Sequence, residues 1–274
     1  MENKLKLWKD GAPWDEAEAS WDKEAQEAAK KHPLKIPKHT PKVTSITKET
    51  KKNLQWKSIK YMLCHDINGK IRNGFLQHPF RYLYSFVKSL FSKKSFLRDD
   101  DFFLYGIKSI AAFKETLKNK NSLLIVGFSY CHKPHECPSG RFTTNCIANP
   151  NNLVCKQCFI GKTVNALPNR RVLPLFITTI HYIGEKVFEI AHKNPHKQIL
   201  FIITACELTL KMFSHWGNMV GIQGIGVRLD GRICNTMRAF EISEKGIKPG
   251  LTIVQKHTQK RILDLIRHRK KETN

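Results

Sequence analysis

The sequence predicts an α/β protein: a mainly parallel sheet with flanking helices, an inserted cysteine-rich metal-binding loop, and a helical or disordered N-terminal extension. Three observations support this prediction. Short apolar runs alternate with amphipathic segments through the middle of the chain. Five of the eight cysteines lie between Cys131 and Cys158, in a segment rich in Pro and Asn. Residues 1–53 are dominated by Lys, Glu, Ala and Pro.

The predicted strands are four apolar runs separated by helical segments. They lie near residues 123–126, 172–178, 199–204 and 222–229. A β-α-β-α-β-α-β alternation requires right-handed crossovers between parallel strands. Pro174 has no backbone N–H to give to a neighbour, so the second of these strands is expected near an edge of the sheet.

Helices are predicted between these strands and at both ends of the chain. Their approximate positions are residues 14–31, a helix that begins at Pro79, residues 100–119, a short helix from 156, residues 182–192, a short helix through 210, and residues 253–269. The third of these begins at Asp99, Asp100 and Asp101, which suit the positive end of a helix dipole. A magnesium site is the less economical explanation of the three aspartates.

The predicted organisation has four parts. Residues 1–53 form a basic, largely flexible extension, and residues 54–98 form a basic amphipathic helical segment. Residues 99–245 form the α/β domain with the cysteine-rich loop at 131–158, and residues 246–274 form a basic C-terminal helix.

The helix after Pro79 carries an apolar stripe at helical spacing, made of Phe80, Leu83, Val87 and Leu90. Such stripes on globular proteins usually face the interior, and core packing is the expected role. Because basic residues accompany the stripe, the alternative is a helix that lies on a membrane surface.

The cysteine-rich loop is the predicted metal site. It buries few apolar side chains, so a bound ion is expected to hold it in shape. Cys155 and Cys158 form a C-x2-C pair, whose sulfurs one turn can direct at a single ion. The predicted ligands are Cys131, Cys137, Cys146, Cys155 and Cys158, with His132 or His135 able to replace a thiolate. Both zinc and an iron–sulfur cluster accept such a set, and the sequence leaves the two open.

Three further residues follow predicted strands outside the loop. Cys206 and Glu207 come directly after the third strand, and Cys234 lies just beyond the fourth. In an open parallel sheet, the C-terminal ends of the strands border the ligand crevice. We therefore expect Cys206 to share a crevice with the loop, with Glu207 as a candidate proton carrier and Cys234 as a candidate cofactor-binding residue. The alternative is that Cys206 is a small buried hydrophobe.

Several motifs of known enzyme classes fail on inspection. Gly161-Lys162-Thr163 resembles the end of a phosphate-binding loop, but Lys156 stands where that loop needs its first glycine. The spacing of Gly221, Gly224 and Gly226 is the reverse of a dinucleotide-binding motif. The sequence contains no G-x-S-x-G and no H-E-x-x-H, so nothing in it points to a hydrolase.

Taken in order, these blocks resemble the bacterial and archaeal family called domain of unknown function 116, over roughly residues 100–245. The shared pattern consists of Cys131, Cys137-Pro138, Cys155-Lys156-Gln157-Cys158 with Ile160-Gly161, Ala205-Cys206-Glu207 with Leu210, and Cys234-Asn235-Thr236. The chain departs from the family at Asn152, where another cysteine is usual, and at Thr209, where an acidic residue is usual. The resemblance implies a cysteine-ligated site on an α/β body and supplies no reaction.

The charge of the chain points to anionic partners. There are 47 Lys and Arg against 23 Asp and Glu, for a formal net charge of +24. The basic flanks favour nucleic acid or an anionic membrane surface as partners. The N-terminus lacks the apolar run of a signal peptide, so we expect a cytoplasmic protein, in which clustered cysteines bind metal or take part in redox chemistry.

The sequence therefore predicts a cysteine-ligated metalloprotein that acts as a redox enzyme or as the partner of one. A zinc-stabilised RNA-binding protein and a membrane-surface scaffold are the alternatives. Whether the protein is an enzyme stays open at this stage.

Overall fold

A computed structural model describes residues 8, 13–36, 46–91 and 95–271. The helices are α1 (Trp14–Lys31), α2 (Lys48–Lys51), α3 (Leu54–Cys64), α4 (Lys70–Leu76), α5 (Pro79–Phe91), α6 (Ile110–Leu117), α7 (Leu153–Gln157), α8 (Phe159–Ala166), α9 (Ile180–Lys193), α10 (Glu207–Val220), α11 (Met237–Glu244) and α12 (Lys256–Lys271). The strands are β1 (Leu97–Asp99), β2 (Phe102–Tyr105), β3 (Ser122–Ser129), β4 (Val172–Ile177), β5 (Gln198–Ala205), β6 (Gln223–Arg228), β7 (Asp230–Gly231) and β8 (Thr252–Ile253).

The main sheet has six strands in the order β1-β2-β6-β5-β3-β4. The pairs β3–β4, β3–β5 and β5–β6 are parallel. The predicted α/β class and mainly parallel sheet with flanking helices are therefore confirmed. β4 lies at the edge of the sheet, as Pro174 predicts. β7 and β8 form a separate two-stranded antiparallel sheet.

The predicted helix start at the three aspartates is wrong. Asp99 ends β1, and Asp100 occupies the tight turn to β2 with a left-handed φ of 53°. β1 and β2 pair antiparallel, and β2 also pairs antiparallel with β6. The helix begins later, at Ile110, because the Ser109 hydroxyl accepts the backbone N–H of Ala112 and caps it.

The sheet separates two hydrophobic clusters, as expected for strands buried on both faces. Alternate residues of β5 show this clearly, since Phe201 and Ile203 belong to one cluster while Leu200 and Ile202 belong to the other. The first cluster is completed by α3, α4, α9 and α10, and the second by α1, α8 and α12. Helices therefore cover both faces of the sheet.

Two glycines of β6 make room for large rings on the first face. A Cβ at Gly226 would lie 2.5 Å from Leu210 Cδ2 and 2.9 Å from Tyr105 Cε2. The Tyr105 hydroxyl donates to the Leu210 carbonyl oxygen at 2.8 Å, which fixes α10 against the sheet. The glycines here serve close packing within a strand, in agreement with the rejection of a dinucleotide motif.

Part of the N-terminal extension packs on the body of the protein, through Trp8 and α1. α1 lies against α7 of the cysteine-rich loop, and Trp21 Nε1 donates to the Lys156 carbonyl oxygen at 2.9 Å. Trp8 and Trp21 are both buried, with ring centroids 5.7 Å apart. The predicted helix of the extension is present as α1, and the extension is therefore flexible over a shorter length than predicted at most. The predicted linker lies in part outside the described residues, at 37–45.

The expectation that the stripe of α5 faces the core is also wrong. Phe80 is 85% exposed, Leu83 53% and Val87 40%, whereas Tyr82 and Phe86 pack on the body from the opposite side of the helix. The side chain of Leu90 lies outside the described residues. Within the part of the chain that the structure describes, no helix has the length and apolar character needed to cross a membrane.

Candidate functional site

A cavity of about 50 Å³ lies at the C-terminal ends of the parallel strands, in reach of three cysteines. Cys131 follows β3 in a single helical turn, and Cys206 follows β5 directly. Because Phe128 of β3 pairs with Thr204 of β5, these two cysteines leave the sheet at the same edge. Cys234 reaches the cavity from the segment between β7 and α11. We call the cavity and its lining residues Cys131, Cys206, Cys234 and Glu244 the thiol pocket.

The loop and the chain near the C-terminus are held together beside this pocket by Arg141. Its guanidinium donates to the carbonyl oxygens of Cys131 at 3.2 Å, Lys248 at 2.6 Å and Gly250 at 2.6 Å. Thr252 Oγ1 also donates to the Cys131 carbonyl oxygen, at 2.9 Å. These hydrogen bonds hold the backbone of residues 248–252 beside the backbone of Cys131, and so fix the position of Lys248 relative to the cysteines.

Cys234 is the cysteine with the most favourable surroundings for a thiolate. Lys248 Nζ donates to its sulfur at 3.2 Å, and Ser243 Oγ lies 3.4 Å away. A hydrogen bond from the Cys206 thiol, together with the Lys248 charge, lowers the pKa of Cys234 well below its ordinary value. Cys234 is nonetheless only 3% exposed, so this charge is held inside the protein.

Cys206 is the protonated partner of this pair. Its sulfur lies 3.2 Å from Thr209 Oγ1, and Cys206 lines the same cavity as Cys234. The hydrogen bond to Cys234 and burial raise the pKa of Cys206 well above its ordinary value. The two thiols therefore titrate as a coupled pair, in which Cys234 is the more acidic member.

Lys248 balances that charge. Burial alone favours its neutral form, but the thiols of Cys131, Cys234 and Cys206 outweigh burial and raise the pKa of Lys248. A cation beside the pocket is consequently in direct contact with the sulfur of Cys234, although Lys248 itself does not line the cavity. No sequence motif marks Lys248, since it lies in a loop between α11 and β8.

The acid of the pocket is Glu244 and not the predicted Glu207. Glu207 pairs with Lys211 Nζ at 2.7 Å and does not line the cavity. Glu244 lines it and accepts the backbone N–H of Ile180 at 2.7 Å. Burial raises the pKa of Glu244 to about 8, so its carboxyl group is largely protonated at neutral pH.

Three other cysteines of the loop lie around a buried lysine. Lys133 is 1% exposed and interacts electrostatically with Cys137, Cys146 and Cys158. Its ammonium group donates to the carbonyl oxygens of Gly140, Thr143 and Asn145 at 3.2, 2.9 and 2.7 Å, and to the Thr143 hydroxyl at 3.0 Å. We call Cys137, Cys146 and Cys158 the loop cysteines. A lysine thus supplies the cation that the polar loop needs.

Cys158 and Cys155 frame the start of α8. The sulfur of Cys158 accepts the backbone N–H groups of Ile160 and Gly161, but burial outweighs these bonds and raises the pKa of Cys158 to about 12. A Cβ at Gly161 would lie 2.2 Å from the Cys155 carbonyl oxygen, so glycine is required there. Lys162 pairs with Glu18 and Asp22 of α1. The apparent phosphate motif is therefore a packing feature.

The histidines considered as substitute ligands differ in position. His132 is buried, which lowers its pKa to about 4, and its Nδ1 has no hydrogen-bond partner among the described residues. His135 is exposed. His132 lies against the ring of Phe159, with centroids 5.7 Å apart.

The residues of the predicted metal site are of the right type to bind zinc or an iron–sulfur cluster, but their sulfurs lie too far apart. Soft thiolates suit zinc and iron–sulfur clusters, but a tetrahedral zinc site needs sulfurs roughly 3.8 Å apart, given bonds of about 2.3 Å. Among the described residues, no three cysteines bring their sulfurs within 4.8 Å of one another. The group of three that meets this spacing is Asp100, Asp101 and His257, and Arg228 and Thr258 already donate to Asp101.

Comparisons with protein-family models, curated proteins and solved structures found no match to this chain. The resemblance to domain of unknown function 116 therefore stays a prediction.

Proposed function

We propose that the protein is a thiol-dependent redox protein in which Cys234 reacts with a small hydroperoxide and Cys206 completes a disulfide. The observation that carries this proposal is that Cys206 and Cys234 line one cavity, with the Lys248 ammonium group 3.2 Å from the Cys234 sulfur. Thiolates are the reactive form of cysteine, and a neighbouring lysine stabilises them.

The size of the pocket supports a small oxidant. A cavity of about 50 Å³ has room for a few water-sized molecules and not for a peptide or a nucleotide. Its walls are mostly apolar, with Ile203 and Phe240 among them. A hydroperoxide group is small enough to reach the sulfur of Cys234 in such a space.

The proposed reaction has two steps. The Cys234 thiolate attacks one peroxide oxygen, the O–O bond breaks, and the departing oxygen takes a proton that neutral Glu244 can supply. The Cys206 sulfur then attacks the sulfur of the Cys234 sulfenic acid and releases water as the S–S bond forms. For hydrogen peroxide, two thiols and one peroxide become one disulfide and two waters. A dithiol reductant, itself oxidised to a disulfide, restores both cysteines, and a reducing cytoplasm would supply it.

The test is the stoichiometry of oxidation by hydrogen peroxide. The protein should lose two thiols for each peroxide consumed, and mass spectrometry should place the new disulfide at Cys206 and Cys234. Cys206→Ser should stop at the sulfenic acid on Cys234, which a cyclic dione traps. Cys64→Ser, which removes an exposed thiol, is the matched control and should leave the pocket reaction unchanged. The same rate and products in Cys234→Ser would overturn the proposal.

A structural metal centre at the loop is the second candidate, with zinc or an iron–sulfur cluster as the group held. The favouring observation is that Cys137, Cys146 and Cys158 surround one ammonium group, next to the C-x2-C pair that Cys155 completes. A four-thiolate site carries excess negative charge, and Lys133 would partly balance it. Ligand residues would have to move closer for this site to close.

Metal analysis after anaerobic purification tests this candidate separately. A stoichiometric metal that is lost in Cys158→Ser and kept in Cys234→Ser would support it. Iron with a brown colour would indicate a cluster, and zinc without colour would indicate a structural site. Metal-free protein whose loop thiols all titrate freely would remove the candidate and leave the redox proposal standing.

A further inference from the structure

Helix α5 presents apolar side chains on two opposite sides. On the inner side, Tyr82 packs on Phe188 with ring centroids 5.6 Å apart. On the outer side stand Phe80, Leu83, Tyr84 and Val87, at the spacing i, i+3, i+4, i+7 that places residues on one helix face. All four are exposed, with Phe80 at 85% and Tyr84 at 69%. We call these four residues the outer face of α5.

This outer face is unusual for a surface helix. Scattered exposed apolar residues are ordinary, but a contiguous row of four large ones marks an interaction site. The row includes two aromatic rings, and aromatic side chains are favoured where an apolar region meets water, as at a membrane interface. The core does not need these side chains, because Tyr82 and Phe86 already pack the helix against the body.

The segment that carries the outer face is strongly basic. Residues 54–91 contain six Lys and Arg, and Asp66 is the one acidic residue among them. Arg81 and Lys88 of α5 are seven residues apart, so they lie in line along one flank of the outer face. Both are exposed. A phospholipid surface with anionic headgroups complements an apolar row bordered by cations in this way.

A cleft beside the helix strengthens the charge argument. It has a volume of about 310 Å³ and is lined in part by Arg81, Lys197, His78 and His192. None of the residues that the structure places around it is acidic. A cleft with cationic side chains and no carboxylate is suited to a phosphate group.

We propose that the protein binds the surface of an anionic bilayer through the outer face of α5, with the basic flank holding the headgroup phosphates. The apolar side chains enter the boundary between headgroups and acyl chains, and Arg81 and Lys88 remain at headgroup level. The helix lies in the plane of the interface and does not cross the bilayer. Binding of this kind would place the thiol pocket on a protein held near lipid, and it is independent of the reaction proposed for that pocket.

Vesicle sedimentation with the full chain tests the proposal. The protein should sediment with phosphatidylcholine vesicles that contain phosphatidylglycerol and not with vesicles of phosphatidylcholine alone. Leu83→Asp places a carboxylate on the outer face and should reduce binding at least tenfold. Ile247→Asp makes the same change at an exposed apolar side chain elsewhere and should leave binding unchanged. Circular dichroism should be the same for both variants, since each side chain is exposed.

A charge-matched pair separates the basic flank from the overall charge of +24. Arg81→Gln with Lys88→Gln should weaken binding roughly 25-fold, at about fivefold for each residue near the surface. Lys30→Gln with Lys31→Gln removes the same charge from exposed positions of α1 and should have a much smaller effect. Equal losses in the two double variants would reduce the interaction to non-specific attraction and overturn the proposal.

Three other results would also overturn it. Undiminished vesicle binding by Leu83→Asp would show that the outer face does not enter the membrane. Self-association of the chain that Leu83→Asp abolishes, without vesicle binding, would assign the face to a second copy. Binding of single-stranded RNA that depends on Arg81 and Lys88, without vesicle binding, would assign the flank to nucleic acid.

Discussion

Cys234 of the thiol pocket is buried and Cys158 of the loop is half-buried, and each lies near a lysine, yet the pKa values of their thiols shift in opposite directions. Lys248 donates directly to the Cys234 sulfur, and the pKa of Cys234 is lowered. Burial raises the pKa of Cys158 to about 12. Lys133 lies nearby, but its four hydrogen bonds go to loop oxygens.

The difference shows that the presence of a nearby cation does not by itself create a thiolate. Burial favours the neutral thiol, and the two backbone N–H groups at Cys158 do not offset that cost. At Cys234 the Cys206 thiol, the Lys248 charge and the Ser243 hydroxyl together offset it. Lys133 is engaged in holding the loop, so its effect on the loop cysteines is electrostatic and indirect. Reactive thiol chemistry is therefore expected at the pocket, while the loop has a structural role.

The largest effect predicted from this comparison concerns Glu244. Because its pKa is raised from 4.5 to about 8, Glu244 contributes stability that is fully present below about pH 4.5 and is lost as the pH rises through 8. Relative to Glu244→Gln, the native protein should lose on the order of 4 kcal/mol of unfolding free energy over this range. Urea unfolding of both proteins at pH 5 and pH 8 measures it.

The sign of the Glu244 effect is opposite to that of Cys234. A lowered thiol pKa contributes stability that is present above the ordinary pKa of the thiol and is lost as the pH falls through the lowered value. In the native protein the two contributions oppose each other between pH 5 and pH 8, so its unfolding free energy should change little. Glu244→Gln keeps only the contribution of Cys234, so the unfolding free energy of this variant should rise with pH over the same range. The same pH dependence in both proteins would contradict a buried, protonated Glu244.

The next effect concerns the cation of the loop. Lys133→Met leaves the oxygens of Gly140, Thr143 and Asn145 without their buried donor and should lower the unfolding free energy by about 3 kcal/mol. Lys108→Met, at an exposed position, is the control. Chemical denaturation measures the loss, and faster alkylation of Cys137, Cys146 and Cys158 locates it in the loop. Faster alkylation of Cys234 to the same degree would contradict the separation of the two groups.

These groups also show what the sequence can and cannot predict. Four apolar runs predicted the parallel strands, and the ends of β3 and β5 placed Cys131 and Cys206 at one edge of the sheet. The spacing of the five cysteines between Cys131 and Cys158 suggested one ligand set. In the fold, Cys131 instead lines a cavity with Cys206 and Cys234. Spacing along a loop fixes only local distances, and the path of the loop here depends on the buried side chains of Lys133 and Arg141.

Other features were missed because their signals were ambiguous or absent. The three aspartates suit a helix start, but the run Phe102–Tyr105 that follows them forms β2, buried at every position. Glu244 and Lys248 come from α11 and the loop behind it, and no pattern in the sequence connects them with Cys206 or with Cys131, which lies more than a hundred residues earlier. Only tertiary structure brings such groups together.

The smallest effect distinguishes direct from indirect action of a lysine on a thiol. Lys248→Met removes the donor 3.2 Å from the Cys234 sulfur and returns the thiol towards its ordinary pKa. The thiolate fraction near pH 7 should then fall severalfold, because the hydrogen bond from Cys206 remains in the variant. Iodoacetamide labelling of Cys234, followed by mass spectrometry from pH 5 to 9, measures this change, and exposed Cys64 in the same molecule is the internal reference.

The control for this variant is Lys245→Met, an exposed lysine three residues away that should leave the labelling profile unchanged. The profile also reflects the other groups that face Cys234: Cys206 and Cys131 from the strand ends, and Glu244 from α11. A thiolate held mainly by Cys206 would give a profile that Lys248→Met does not shift and Cys206→Ser does. That outcome would show that the hydrogen bond from Cys206 stabilises the Cys234 thiolate and that the contact with Lys248 is not needed.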